Sequence, residues 1–380
     1  MLIPKSITTL ESLAGKKVLV RVDFNVPIEN GKITGDTRIK KSLATIEFLR
    51  NQKAKIILIS HIEGKGGDSL RPIYDYLMKI FPLTFVEDIF SKESLAEMSS
   101  MADGDIILVE NIRQYPEEKK NDREFSKKLA GFADIYVNDA FSVSHRSHAS
   151  IVGVPEFLPH YAGLLLSDEI NHLKKIFHPP HPFLFILGGA KFDTKLPLIQ
   201  KFLTLADHVF VGGALANNLF KARRWNVGAS LVSGGDFSVT DIVADTRLLV
   251  PTDVIVQDKN TQAVSAKKSD QVGDADVIMD AGPETMSMLQ TMIGESKCVL
   301  WNGPLGNYEL GFTEPTIELA KIISDADGSL EAVVGGGDTL AAISSLGEKA
   351  ESKISFISTG GGAMLQYLLD ETLVGIEALK

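Results

Sequence analysis

Short apolar runs alternate along the whole chain with longer segments in which apolar residues recur every three or four positions. The runs have the pattern of buried strands and the longer segments that of amphipathic helices. Their alternation predicts βαβ units built around parallel sheets. In the first half the predicted strands are Lys17–Asp23, Lys55–His61, Asp105–Asn111 and Asp134–Asp139, with helices over 39–52, 69–81 and 121–132. Each of these strands ends in polar or charged residues. Ligands of open α/β sheets bind beyond the carboxyl ends of the strands, so four polar endings point to one polar cleft. In the second half, runs such as Phe183–Leu187, His208–Val211, Lys297–Trp301, Ala332–Val334 and Ser355–Thr359 instead lead into glycine clusters followed by helical stretches. Glycine at such a junction permits close backbone approach, and the helix that follows offers free N–H groups to an anion. A nucleotide cradle is the expectation.

The pattern therefore predicts an α/β protein of two doubly wound, Rossmann-like parallel-sheet domains with a cleft between them. A helix over 164–177, stopped by His178-Pro-Pro-His-Pro182, joins them. The expected boundaries are 1–165, with the tail 364–380 packing back on it, and 166–363. A length of 380 residues suits two domains.

Charge refines this picture. The net charge of −10 argues against a nucleic-acid coat. Residues 1–165 hold 22 of the 39 basic and 22 of the 49 acidic residues, which leaves 17 and 27 in the rest. The first half is relatively basic and suited to an anion, although a plain solubility surface gives the same asymmetry. A single cysteine, Cys298, excludes an intrachain disulfide and a cysteine metal cluster. No apolar run reaches the roughly 20 residues of a membrane span, and the N-terminus has no long apolar stretch, so a cytoplasmic protein is expected. The phosphate loop GxxxxGK[ST], the dinucleotide fingerprint GxGxxG and the protein-kinase HRD and DFG sets are all missing.

Nine segments, in order, carry a resemblance. They are Arg21-Val-Asp-Phe-Asn-Val-Pro27, Gly35-Asp-Thr-Arg-Ile39, Glu110-Asn-Ile-Arg113, Val137-Asn-Asp-Ala-Phe141, His145-Arg-Ser-His-Ala-Ser150, Leu187-Gly-Gly-Ala-Lys191, Trp301-Asn-Gly-Pro304, Val334-Gly-Gly-Gly-Asp-Thr339 and Ser358-Thr-Gly-Gly-Gly-Ala363. With them the chain resembles the phosphoglycerate kinases over nearly its whole length. The resemblance implies reversible phosphoryl transfer from 1,3-bisphosphoglycerate to ADP, giving 3-phosphoglycerate and ATP. It also implies Mg²⁺ and a monomer, with neither nucleic acid nor membrane as partner.

The resemblance assigns roles by position. Asp23, Phe24, Asn25, His61, Ile62, Glu63 and Gly64 fall in the substrate-binding segments. Asp23 and Asn25 would hold the hydroxyl and carboxyl end, and Arg113 and Arg146 the phosphate. Arg38 would stabilise charge in the transition state, with Lys191, Gly337 and Gly361 beside the transferring group. Lys195, Gly336, Gly337, Asp338 and Thr339 would take the nucleotide phosphates, with Asp338 on Mg²⁺. Gly360, Gly361 and Gly362 would open a second helix N-terminus toward the transferring group. Gly212, Gly213 and Pro304 would enclose the adenine, and Glu309 would take the ribose. His145 and His148 are expected to pack the loop around Arg146. If helical, the spacing of Lys191 and Lys195 puts both ammonium groups on one face.

The chain departs from the family at several points. The usual His-Leu-Gly-Arg-Pro reads His61-Ile-Glu-Gly-Lys65, which replaces an arginine by Gly64 and adds Glu63. Lys65 is expected to compensate in part, with Glu63 opposing it unless turned to solvent. Gln114 stands where an aromatic is usual, and Asn307 where an apolar residue faces the adenine. Phe192-Asp-Thr194 follows Lys191 in place of the usual Val-Ser-Asp. The altered loop supports one competing expectation, a related protein that binds nucleotide or metabolite without turnover. Fold analogy alone offers an NAD-dependent dehydrogenase, which the missing GxGxxG opposes.

Overall fold

The computed structural model describes residues 3–63, 69–235 and 239–380. The chain divides into two compact units, one of Met1–Asn171 with Gly362–Lys380, the other of His172–Gly361. The first division falls within the helix Leu164–Lys175 and the second at the start of the helix Gly362–Asp370.

The first unit is built on six parallel strands. Their order is Thr84–Val86, Ile106–Val109, Lys55–Ile59, Lys17–Arg21, Ile135–Asn138, His160–Ala162. Val20 lies between Leu58 and Val137. The inner strands are buried along nearly their whole length, as expected where helices cover both faces of a parallel sheet. The helix Thr37–Asn51 turns Ile39, Ser42, Thr45, Ile46 and Leu49 inward at three- and four-residue spacing. Ser91 and Asp122 cap their helices by accepting from the N–H groups of Ser94 and Phe125. From Lys17–Arg21 the chain first builds one side of the sheet, then crosses to add Ile135–Asn138 and His160–Ala162 on the other. The crevice at such a reversal is where open α/β sheets bind ligands. The C-terminal segment belongs to this unit: Tyr367 meets Phe141, and the Gly375 N–H donates to Ser144 O at 2.8 Å.

The second unit has its own six-stranded parallel sheet, ordered Leu248–Leu249, His208–Val211, Phe183–Leu187, Cys298–Asn302, Glu331–Gly335, Phe356–Ser358. Its reversal lies between Phe183–Leu187 and Cys298–Asn302. The βαβ pattern does not predict a further antiparallel sheet of Val264–Lys268, Asp253–Asp258 and Asp276–Ala281. Its strand Val264–Lys268 is mostly exposed and lacks an apolar run. The aliphatic and aromatic side chains of the main sheet and its helices form the core, including Trp301, Phe210 and Leu289.

Candidate active site

In the first unit the strand exits are tied together by side chains. Ser60 Oγ accepts from the Phe24 N–H (2.9 Å) and donates to Val22 O (2.9 Å). This holds Asp23 at the reversal, where it is almost fully buried. Its Oδ1 accepts the Asn25 N–H at 3.0 Å; its Oδ2 lies 3.1 Å from Arg38 Nη1 and accepts from Ser142 Oγ. Arg38 Nη1 also donates to Asn25 O at 2.8 Å. Asp23, Asn25 and Arg38 thus come together as one group.

His61 is buried beside them. Its Nδ1 lies 3.1 Å from Arg21 Nη2 and 3.9 Å from Asp23 Oδ1. Arginine has no acceptor, so Nδ1 must accept and the ring proton sits on Nε2. Burial and the neighbouring Arg21, Arg113, Arg146 and Arg38 drive the His61 pKa far down, so its ring is neutral. Arg21 is itself buried, donates from Nε to Ser150 Oγ (2.9 Å), and is balanced by buried Glu118, whose oxygens accept from the Ser150 hydroxyl and N–H.

The next strand exit supplies Arg113. Asn111 Oδ1 accepts the N–H groups of Ile62 (3.3 Å) and Arg113 (3.1 Å), and its Nδ2 donates to Ile62 O (2.8 Å). The Arg113 side chain is only 3% exposed, and its Nε and Nη2 have no hydrogen-bond partner. Arg146 is exposed and close enough to lower the pKa of His61 and of Arg113.

The substrate-side expectations need two corrections. Phe24 is a core residue: its ring packs in the core, its N–H goes to Ser60 and its carbonyl accepts from Val26. Ile62 is likewise core, with both backbone groups taken by Asn111. Of the two arrangements open to Glu63, the structure has it ion-paired with Arg113 and Lys119. Gly64 and Lys65 lie outside the described residues. His145 and His148 are held neutral, His148 at about 4, by burial and the surrounding arginines. No group of three or more His, Cys, Asp or Glu that could hold a metal occurs among the described residues.

In the second unit the glycine turns interlock at the sheet reversal. The Gly188 and Gly189 N–H groups donate to Asn302 O (2.9 Å) and Pro304 O (2.8 Å). A Cβ on Gly188 would lie 2.2 Å from Pro304 O, and one on Gly213 2.7 Å from Gly189 N. Gly212 is bounded instead by side chains, those of Leu305 and Phe210, 2.9 and 3.0 Å from such a Cβ. Backbone packing alone therefore requires Gly188 and Gly213. Gly337, Gly361 and Gly362 differ, since a Cβ on any of them would meet nothing within 4 Å. Gly336 has a φ of 113°, which only glycine adopts readily, and precedes the helix Gly337–Ser345. No side chain caps that helix, so its first N–H groups are available to an anion. Thr339 is buried, and its Oγ1 accepts the Gly303 N–H at 3.0 Å; the hydroxyl ties the helix to the neighbouring turn.

Lys195 Nζ donates to Gly188 O at 2.8 Å. Burial lowers its pKa to about 8; Asp338 opposes the shift and Lys191 adds to it. Burial, together with Glu309, raises the pKa of Asp338, against the pull of Lys195. Lys195, Asp338 and Glu309 thus share one electrostatic neighbourhood. Lys191 is exposed and lies outside the helix: it is the N-cap of Phe192–Phe202, in a left-handed conformation (φ 65°). The one-face argument for the two lysines therefore fails. Asn307 is exposed rather than buried, and its Oδ1 accepts the Leu310 N–H at 3.3 Å, capping a short helix.

Sequence reasoning missed Arg21, Asn111, Glu118, Lys119, Ser142 and Ser150. Arg21 was visible as a charge inside a strand-like run. Asn111 and Ser150 stand in segments that carry the resemblance but received no role, and Glu118, Lys119 and Ser142 show only through partners distant along the chain.

The phosphoglycerate kinase family model matches residues 7–371. A phosphoglycerate kinase of Wolbachia pipientis wMel is 41% identical over 385 residues, covering 97% of this chain and 96% of the relative. One of Leptospira biflexa is 40% identical over 386 residues, covering 97% and 96%. The phosphoglycerate kinase structures of Coxiella burnetii (TM-score 0.82, 32% identity) and Pyrococcus horikoshii OT3 (TM-score 0.84, 28% identity) each cover 99% of this chain, which covers 98% of each. The chain belongs to the phosphoglycerate kinase family.

Proposed function

We propose that the protein transfers a phosphoryl group reversibly between 1,3-bisphosphoglycerate and ADP, giving 3-phosphoglycerate and ATP, as a cytoplasmic monomer. The observation that carries this reading is the set Asp23, Asn25, Arg38, His61 and Arg113, gathered at strand exits around one sheet reversal. Asp23 accepts the substrate hydroxyl, and Asn25 and Arg38 flank its carboxyl end. Arg113 and Arg146 take its phosphate, since guanidinium groups bind phosphate bidentately. The unpartnered Nε and Nη2 of Arg113 support this role.

In the second unit Lys195 and the N–H groups at Gly337 face the nucleotide phosphates, and Lys191 and the N–H groups at Gly361 the transferring group. Gly212, Gly213 and Pro304 border the base, and Glu309 the ribose. A single carboxylate suits Mg²⁺, which keeps waters and binds through one or two carboxylates plus phosphate oxygens. Asp338, at an open helix start near Lys195, fits that requirement. When bound, Mg²⁺ neutralises charge on the nucleotide phosphates.

The acceptor oxygen in the ATP-consuming direction belongs to a carboxylate with a pKa near 4, already ionised at pH 7. No general base is needed to make the nucleophile. Catalysis is positioning and charge neutralisation, and Arg38 supplies the positive charge nearest the carboxyl end. Since the two sets of groups are carried by different units, transfer requires the units to bring their ligands together. A smaller radius of gyration with both ligands bound than with either alone is the expected signature.

The decisive test is a coupled assay with 3-phosphoglycerate and MgATP. Turnover supports the reading. Binding of both ligands without turnover would refute it in favour of a non-catalytic binding protein.

A further inference from the structure

The Arg113 side of the first unit carries an anion of its own. One oxygen of Glu63 pairs with Arg113 Nη1, and the other lies 2.6 Å from Lys119 Nζ. The backbone that sets this contact is built. The Glu63 N–H donates to Asn25 Oδ1 at 3.0 Å, and Asn111 fixes both the preceding residue, Ile62, and the Arg113 N–H. Only the outer partners have room to move: the side chains of Glu63 and Lys119 are 42% and 54% exposed, against 3% for Arg113. Lys119 and Arg113 also hold the pKa of Glu63 below its ordinary value, against the effect of burial.

We propose that Glu63 is an internal competitor for the substrate's phosphate, and that Lys119 is a further phosphate contact. The inference rests on the reading that Arg113 receives that phosphate. Two cations that grip the two oxygens of one carboxylate lie within reach of a single phosphate, which has more oxygens and more charge. A phosphate arriving at Arg113 displaces the Glu63 carboxylate to solvent and takes over Lys119. The substitution of Glu63 into the usual His-Leu-Gly-Arg-Pro loop then both occupies the subsite and marks the lysine that serves it in place of the missing arginine.

A competing internal contact multiplies the apparent affinity by the fraction of molecules in which the site is open. For a half-exposed carboxylate on two cations this amounts to about two- to tenfold. The contact acts equally on ground and transition states, so it moves KM and not kcat.

The test is steady-state kinetics of four variants of the whole enzyme. Glu63→Gln and Glu63→Gly should each lower the KM for 3-phosphoglycerate about two- to tenfold, leaving kcat and the KM for MgATP unchanged. Lys119→Ala is read in the Glu63→Gln background, where it no longer also loosens the competitor. There it should raise that KM severalfold if Lys119 touches phosphate. An unchanged or raised KM in both Glu63 variants overturns the competitor, and a neutral Lys119→Ala in that background overturns the added contact. Arg113→Lys separates the two levels. If it raises the KM while the Glu63 variants fail, only this inference falls. If it leaves the KM unchanged, the phosphate site itself is misplaced.

Discussion

Asp139 offers a prediction whose size follows from its surroundings. It leaves the strand Ile135–Asn138 and is completely buried. Its Oδ1 accepts the N–H groups of Leu165 (2.9 Å) and Leu166 (3.3 Å) at the start of the helix Leu164–Lys175. Gly163 lets it come so close, since a Cβ there would lie 2.1 Å from Oδ1. Burial raises its pKa from 3.8 to about 7, the Thr45 hydroxyl and the helix amides offsetting only part of the effect. Between these two values the folded protein binds the proton and the unfolded chain does not. Stability from this group is therefore present at low pH and lost as pH rises through about 7. From pH 5 to pH 8 some two pH units count, at about 1.4 kcal/mol each, or roughly 2.5 kcal/mol. Asp139→Asn keeps an acceptor for the amides and removes the titration. Relative to wild type it should gain about 2.5 kcal/mol of stability over that interval. Buried Asp280, also raised to about 7, gives a slope of the same sign, so the difference between the proteins is the quantity to read. Trp225 and Trp301 both lie in the second unit, so their fluorescence reports the wrong place. Urea unfolding by far-UV circular dichroism, with amide exchange at Leu165 and Leu166, reports the right one. A difference flat to within about 0.5 kcal/mol from pH 5 to pH 8 would refute the argument.

Three further outcomes follow from the site. Arg38→Ala should lower kcat about 10²- to 10³-fold while changing KM far less, because its charge is needed mainly in the transition state; near-wild-type kcat in the coupled assay would name the wrong arginine. With its pKa near 8, Lys195 is partly neutral at pH 8.5 until nucleotide phosphates restore the charge, so MgADP binding should take up a fraction of a proton. Calorimetry in buffers of different ionisation enthalpy measures that fraction, and Lys195→Arg should abolish it. Gly337→Ala should leave thermal stability unchanged or slightly higher yet raise the KM for MgATP, whereas Gly188→Ala, whose Cβ would meet Pro304 O at 2.2 Å, should unfold the unit; equal melting points would show that the turn relaxes.

What the sequence made legible was what repeats locally. Phe183–Leu187, His208–Val211 and the start of the helix at Leu164 lie where the pattern of apolar positions puts them. Of the parallel-sheet strands, those it passed over, Thr84–Val86, His160–Ala162 and Leu248–Leu249, lie at sheet edges, and at two or three residues they are too short to carry a period. At the site the resemblance picked out the residues that converge on Asp23. It gave no access to contacts made by partners far apart in the chain, such as Arg21 with Ser150 and Glu118, or Asp23 with Ser142. Nor could it show that Glu63 turns toward Arg113, because the direction of one carboxylate depends on where Lys119 and Asn25 place their charges and dipoles.

The glycines show how the same letters can be needed for different physical reasons. Read in sequence, the clusters at 188–189, 212–213, 335–337 and 360–362 look alike, four cradles awaiting phosphate. In space, Gly188, Gly189, Gly213 and Gly303 are pressed against one another's backbone at the sheet reversal, where a Cβ on Gly188, Gly213 or Gly303 would lie within 3 Å of a backbone atom. They would be needed had no nucleotide ever bound. Gly337, Gly361 and Gly362 face open space, so packing does not require them to lack a side chain. A bare backbone at the exposed start of an uncapped helix, as at Gly337, raises no obstacle to a bulky anion approaching the N–H groups. The packed set thus holds the two central strands of the second unit in register, and Gly337 and Gly361, the open glycines of that unit, are where its chemistry has to be sought.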